Sequence, residues 1–169
     1  GAQLDLRGFV ISGPVTCSGS PAVCTPSSAT NSFSGVVASA TTDAVTIKNG
    51  VVRGFSVGLY SSRNGLVENI TSRENSDSGV FGREGAVVRR ATADSNGRLG
   101  IEIKLGGTVV ESSASDNGQF GIATGGVPNN GGATVRNSSA YRNGGWGIYD
   151  WGRSQIGRAS CRERVSSPV

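Results

Sequence analysis

The 169-residue chain contains no histidine. That removes the commonest general base and the commonest metal ligand together. Neither a Ser-His-Asp triad nor a Cys/His zinc site can be built from it. Proline is scarce as well, 5 residues against 27 glycines, and high glycine without a proline-bearing Gly-X-Y period excludes collagen. No run reaches the roughly 18 apolar residues that a membrane-spanning helix needs, so no membrane partner is expected. The chain opens on Gly1-Ala2-Gln3-Leu4, so any export signal is expected to have been removed or to lie outside this sequence. No cofactor motif is present, and neither cofactor nor metal is expected.

The formal charge of +4 would suggest nucleic acid only if it formed a basic face. Part of it comes from the end of the chain, where Arg158, Arg162 and Arg164 against Glu163 supply +2 (three minus one). The remaining +2 (four minus two) is too little to argue for a nucleic-acid partner. The same tail holds Cys161. Without it the cysteines are Cys17 and Cys24, enclosing Ser18-Gly19-Ser20-Pro21-Ala22-Val23. A short Gly/Pro loop between two cysteines reads as a disulfide in an oxidising compartment, hence a secreted protein; two unpaired buried thiols are the alternative.

What the chain has in quantity is repetition. Glycine followed by an aliphatic residue recurs at Gly35-Val36, Gly58-Leu59, Gly79-Val80, Gly100-Ile101, Gly121-Ile122 and Gly147-Ile148, in steps of 23, 21, 21, 21 and 26. Four residues before the last four glycines stand Asn75, Asn96, Asn117 and Asn143. Nine residues after Gly58, Gly79 and Gly100 come Val67, Val88 and Val109, with Val135 in that role after Gly121 and five extra residues. Twenty-one residues are too few for two packed helices, and the β-branched, alternating segments read as strands. A unit that cannot bury its own apolar side must stack on its neighbours. Each coil then lies about 4.8 Å above the last. Leu59, Val80, Ile101, Ile122 and Ile148 form one interior column; Val67, Val88, Val109 and Val135 form another. The asparagines form a ladder at a turn, a place where positive φ favours Gly or Asn.

Charge tests the register. At a spacing of 21 the chain sets Arg53 against Glu74, Arg63 against Glu84, Glu68 against Arg89, Arg73 against Asp94, Asp77 against Arg98 and Arg90 against Glu111, with Arg83 and Lys104 the like pair. Opposite charges across strands attract modestly and like charges repel.

This repeat resembles the right-handed parallel β-helix of the pectate-lyase-like superfamily, clearly over residues 35–152. The opening Leu4-Asp5-Leu6-Arg7-Gly8-Phe9 and the loop after it are similar to the first coil of secreted bacterial members. The expected organisation is an N-terminal coil with a disulfide loop (1–34), the repeats (35–152), and a non-native or disordered tail (153–169). Within that tail, residues 156–165, Ile-Gly-Arg-Ala-Ser-Cys-Arg-Glu-Arg-Val, resemble a translated sequencing adapter, so the gene fragment is expected to end near Gln155; a genuine basic tail is the alternative. The cut edge of the last coil implies end-to-end self-association.

The resemblance implies polysaccharide lyase or glycoside hydrolase chemistry if the chain is an enzyme, but no complete catalytic motif is present. Family lyases hold calcium with clustered aspartates, and here no outward acids stack in adjacent coils. Polygalacturonase-like Asn-Thr-Asp, Asp-Asp and Gly-His-Gly signatures are absent. Asp94-Ser95-Asn96-Gly97 and Asp116-Asn117-Gly118 look like metal loops but sit at the ladder turn. Asn69-Ile70-Thr71 and Asn137-Ser138-Ser139 are glycosylation sequons.

One outward strip stands out. Two residues beyond the anchor glycines come Tyr60, Phe81, Glu102, Ala123 and Tyr149; four beyond come Ser62, Arg83, Lys104, Gly125 and Trp151. The loop 125–132 should project at its edge, and Leu99, Phe120 and Trp146 form a second row beside it. Rings beside convergent polar groups suit a saccharide, and Arg83 over Lys104 would suit an anionic one. The alternative is an ordinary outer sheet face. The expectation is therefore a carbohydrate-binding strip of Tyr60, Phe81, Arg83, Glu102, Lys104, Tyr149 and Trp151, with Glu102 the single catalytic candidate; against it stands a structural or adhesive spacer.

Overall fold

Short β-branched segments bounded by turn residues cannot close a core alone, so the chain winds and stacks them. A computed structural model describes residues 1–26, 33–38, 43–125, 132–152, 154–161 and 165–166. Among these there is no helix, and the strands build a parallel β-solenoid of about five turns. One face is a seven-stranded sheet that includes Val57–Tyr60, Ser78–Gly82, Leu99–Ile103, Phe120–Thr124 and Ile148–Asp150. The other two faces share a twelve-stranded sheet. Val87–Arg89, Thr108–Val110 and Thr134–Arg136 lie on one of them; Thr92–Asp94, Ser113–Ser115 and Ser139–Tyr141 lie on the other. Thr46–Arg53 and Leu66–Arg73 run through both.

Between these two faces the chain bends at one left-handed residue per coil: Asn49, Asn69, Arg90, Glu111 and Asn137, with φ of 60°, 51°, 50°, 51° and 50°. Both sequon asparagines sit there, where asparagine is among the few side chains that adopt this conformation readily.

The two interior columns are fully closed. Leu59, Val80, Ile101, Ile122 and Ile148 are 0% exposed, as are Val67, Val88, Val109 and Val135. Backbone pairing sets Val67, Val88, Val109 and Val135 in line, each contributing about 1.5–3 kcal/mol by burial. A third column is small, with Ser72, Ala93, Ala114 and Ala140 in register.

That small column leaves room for the asparagines. Asn75 Nδ2 donates to Asn96 Oδ1 at 2.9 Å, Asn96 to Asn117 at 3.0 Å and Asn117 to Asn143 at 2.9 Å. Each accepting oxygen also takes the backbone N–H of the asparagine one coil earlier, at 3.0–3.1 Å. These amides are buried, so their hydrogen bonds have no competing water. The left-handed residue at this corner is not the asparagine but the one before it: Glu74, Ser95, Asp116 and Arg142, with φ of 56°, 54°, 56° and 51°. Asparagine is required here for its inward amide, not for its backbone freedom.

The recurring glycine has the same origin. A Cβ on Gly79, Gly100 or Gly121 would lie 2.7 Å from the Nδ2 of Asn96, Asn117 or Asn143.

One coil is a residue shorter than the 21-residue repeat. Thr46–Arg53 pairs with Leu66–Arg73 at a spacing of 20, setting Arg53 beside Arg73. Arg53 still reaches Glu74, diagonally, at 3.6 Å. Arg63–Glu84, Arg89–Glu68 and Arg98–Asp77 form at 3.2, 2.6 and 2.8 Å. Two expected pairs do not form. Asp94 is the ladder neighbour of Arg73 but accepts from Ser95 and Ser115. Arg90 turns to Asn69 and Glu68 instead of Glu111.

At the N-terminal end Gln3–Asp5 and Val10–Ser12 pair on Thr46–Arg53. The next segment leaves the coil as an antiparallel hairpin, Thr16–Ser18 with Val23–Thr25, closed by a Cys17–Cys24 disulfide. It lies along the solenoid as a strap over the ladder corner. Cys24 Sγ meets Asn75 O at 3.5 Å, Ala22 N donates to Asp116 O at 3.0 Å, and Ser20 Oγ bonds Asp116. Gly97, Gly118 and Gly144 form the ledge beneath it: a Cβ on Gly97 would meet Cys24 Sγ at 3.0 Å, on Gly118 Ala22 O at 2.9 Å, and on Gly144 Pro21 Cβ at 3.1 Å. At the other end Gln155–Gly157, Ser160–Cys161 and Val165–Ser166 pair on the preceding coil.

The columns make a prediction. Val88→Asp places an unpartnered carboxylate in an apolar interior and is expected to cost several kcal/mol. Its neighbour Arg89→Asp exchanges a surface attraction for a repulsion, at about 1 kcal/mol or less. Thermal melts of the two variants check this, since a register shifted by one residue would reverse their order.

Candidate functional site

The strip lies on the seven-stranded face, and the ladder sets its first row in line. Tyr60 pairs with Phe81, Phe81 with Glu102, Glu102 with Ala123 and Ala123 with Tyr149. The row four residues beyond the glycines differs at its start. Ser62 is buried and its Oγ accepts the backbone N–H of Val45 at 3.0 Å, so it closes a corner instead of facing solvent. Ala123 is buried as well. Residues 126–131 of the expected edge loop lie outside the described residues.

Because coils stack at strand spacing, rings in one column stack on each other. Tyr60 and Phe81 are 4.5 Å apart with planes 10° from parallel. Phe120 and Trp146, one coil apart, are 5.4 Å apart at 12°, and Tyr149 of the neighbouring column stacks on both, 4.6 Å from Phe120 at 22° and 4.5 Å from Trp146 at 10°. The second row thus divides: Leu99 is buried, whereas Phe120 and Trp146 join the strip. Strand alternation counts Phe120 with inward Ile122 and hides this. The available signal was Ala123, a missing side chain between Glu102 and Tyr149 that leaves space for a neighbouring ring.

Stacking also consumes the ring faces a sugar would use. Lys104 Nζ lies 5.2 Å from the Phe81 centroid and Arg83 Cζ 6.0 Å from that of Tyr60, occupying faces further. Trp151 is the exception. It stands at 86° to Tyr149, 4.6 Å away, and at 69° to Phe120, and it is 37% exposed.

The charges are paired. Glu102, unpartnered in its column, is reached along the strand by Lys104 Nζ at 2.5 Å. Arg83 lies 3.8 Å from Glu84, which Arg63 also bonds. A single ion-paired carboxylate cannot run the two-carboxylate glycosidase mechanism. Among the described residues no group of three or more acidic or cysteine ligands converges on a metal position. The two loops that look like metal loops are filled with donors, Asp116 taking Arg142 and Ser20, Asp94 taking Ser95 and Ser115. A cleft of about 320 Å³ opens between the strap and its ledge, away from the strip. Its one cation, Arg98, is bound to Asp77.

A residue missed by sequence reasoning lies beneath Trp151. Asp150 is 2% exposed in an otherwise uncharged position, in register with Thr124 and, through it, Ile103 and Gly82. Burial pushes its carboxyl up, but donors from Ser154, Thr124 and the Ser154 and Gly152 backbones outweigh that and hold it below the ordinary range.

No family model matches the chain, and no curated protein matches it. Among solved structures it is similar to the A-module of a mannuronan C-5 epimerase from Azotobacter vinelandii. The TM-score is 0.56 at 17% identity, over 75% of this chain and 36% of that one. The likeness is one of fold, the parallel β-helix, and this chain spans about a third of its neighbour's length.

Two carboxyls make the stability acid-sensitive. The Arg142 guanidinium, donating at 2.8 and 2.6 Å, holds Asp116 below the ordinary value despite its burial, and Ser20 adds to this; Asp150 is held down by its donors. Groups with depressed folded-state pKa stabilise fully above the unfolded value, near 3.8, and lose that contribution as pH falls through the folded one. The melting temperature is expected to hold between about pH 7 and 5 and to fall below about pH 4. Asp116→Asn should lower the plateau and flatten part of the fall, as melts across that range would show.

Proposed function

We propose that the chain is part of a secreted, polysaccharide-binding β-helix of the pectate-lyase-like type, engaging its glycan along the outward face from Tyr60 to Trp151. The observation that carries this is Trp151: one indole breaks out of a stacked aromatic column and stands across it, exposed, beside Tyr149. Such a ring offers an apolar platform to the C–H face of a sugar. Tyr60, Phe81, Arg83, Glu102, Lys104 and Tyr149 extend the surface toward the N-terminal coils with hydroxyl, guanidinium, ammonium and carboxylate groups. In this reading Glu102 accepts hydrogen bonds from the glycan. The A-module of similar fold bears the name of an enzyme acting on mannuronan, which supports a glycan partner. The Cys17–Cys24 disulfide supports an oxidising compartment. Nucleic acid is disfavoured because the outward cations are largely taken up in ion pairs.

Wild type is expected to bind a subset of acidic or neutral polysaccharides in affinity electrophoresis. Trp151→Ala should weaken binding by about tenfold or more, the scale of a lost aromatic anchor, and Tyr60→Ala by less. If wild type binds no polymer, the spacer reading takes its place; the closed ring stacks and ion pairs favour that alternative.

We further propose that residues 156–165 are translated adapter. Resequencing the source DNA across codons 150–169 is expected to show the adapter junction; an uninterrupted native frame there would refute it.

A further inference from the structure

We infer that Asp150 is a positioning residue for Trp151, folding the chain back so that the indole stands across the aromatic stack and faces solvent. The inference rests on the reading of Trp151 as the sugar platform, and its physical part can be tested apart from that reading.

The equivalent places one, two and three coils earlier hold Thr124, Ile103 and Gly82. A carboxylate at such a depth is unfavourable unless donors surround it. Here the Thr124 hydroxyl donates to Asp150 Oδ1 at 2.7 Å and the Ser154 hydroxyl at 2.6 Å. The two remaining donors are backbone groups just beyond the tryptophan, Gly152 N to Oδ1 at 3.1 Å and Ser154 N to Oδ2 at 3.2 Å. The carboxylate thus holds the main chain immediately after Trp151. The Trp151 N–H itself donates to Thr124 O at 2.9 Å. Ser154 Oγ in turn accepts the Ala133 N–H at 3.1 Å, tying the turn to the adjacent strand. The indole is therefore fixed from its backbone, while its ring touches Tyr149 and Phe120 edge-on.

Tyr60, Phe81, Phe120 and Tyr149 lie within strands, and each of these rings lies flat on a neighbour. At Trp151 the strand has ended at Asp150, and a turn anchored by a buried anion takes over. An amide would not substitute. Asparagine at 150 offers one acceptor oxygen, so either the Ser154 N–H or the Gly152 and hydroxyl donors would face an NH₂ group.

The chain has two tryptophans, so Trp146→Phe leaves Trp151 as the sole indole reporter while keeping an aromatic ring beside Tyr149. In that background Asp150→Asn is expected to shift Trp151 emission to the red, lower its anisotropy and raise its quenching by acrylamide. With Trp146 retained, Asp150→Asn should bind polysaccharide about tenfold more weakly, the scale of losing a charge-assisted hydrogen bond, when affinity is referred to folded protein. If Asp150→Asn does not fold, Ser154→Ala removes one donor from the same carboxylate and should move the Trp151 signals in the same direction by less. A folded Asp150→Asn protein with unchanged emission, anisotropy and quenching overturns the inference, as does a folded Ser154→Ala protein without change where Asp150→Asn fails. Shifted Trp151 signals in a protein whose wild type binds no polysaccharide support the positioning role and overturn the glycan reading alone.

Discussion

Coil-on-coil stacking at strand spacing is the constraint from which the rest follows. Each residue of one coil has a counterpart about 4.8 Å above it, so any side chain that cannot sit on a copy of itself is disfavoured at that place. Aliphatic columns satisfy this by burial. The asparagines satisfy it by bonding, because a carboxamide is both donor and acceptor and its stack is self-complementary. The Asn75 to Asn143 ladder fills the corner where the chain must turn, and it dictates two further features. The third column must be small, as Ala93, Ala114 and Ala140 are, and the residue against the amide must be glycine, as at Gly79, Gly100 and Gly121. One inward hydrogen-bonded column accounts for the Asn-to-Gly spacing that marks the repeat.

The same constraint works against a binding surface. Aromatic residues repeated in one outward column stack face to face, as Tyr60 and Phe81 do at 4.5 Å. They then present edges to solvent and gain stability at the expense of contact area. Charges on the strip are closed off within a coil, where Lys104 pairs with Glu102 along the strand. A ring on a solenoid face escapes such stacking where something interrupts the repetition. On this face the interruption comes in two parts, Ala123 where a large side chain would be expected and Trp151 where the strand ends.

This explains what could be read from the sequence and what could not. Val67, Val88, Val109 and Val135 were legible because burial enforces a strict period, and so were the asparagines. The strap was legible only as a loop: Cys17 and Cys24 announce a closure, but its docking on Gly97, Gly118 and Gly144 depends on packing that no local pattern records. The 20-residue coil was missed because the glycine anchors there step irregularly. The shared bend at Asn49 and Asn69 would have shown it. The spacing puts Tyr60, Phe81, Glu102, Ala123 and Tyr149 in one register row, but it does not show how their rings stack. Sequence spacing tells which residues share a column, whereas ring orientation depends on contacts within it. Ser62 was assigned outward by counting from Gly58, although the corner begins one residue too early for counting to hold.

Asp150 shows the limit of pattern reading most sharply. Asp150 closes the strand Ile148–Asp150, and its burial comes from stacking against Thr124 and not from local sequence. In a column of Gly82, Ile103 and Thr124 a single anion finds one hydroxyl donor and has to recruit the rest from beyond the strand, here from Gly152 and Ser154. Those donors come from the segment that follows the last residue of the strand, so the departure from periodicity in the interior and the departure at the surface are one event. The repeat supplies rigidity, and the place where it breaks supplies the ring, Trp151, that lies across the stack.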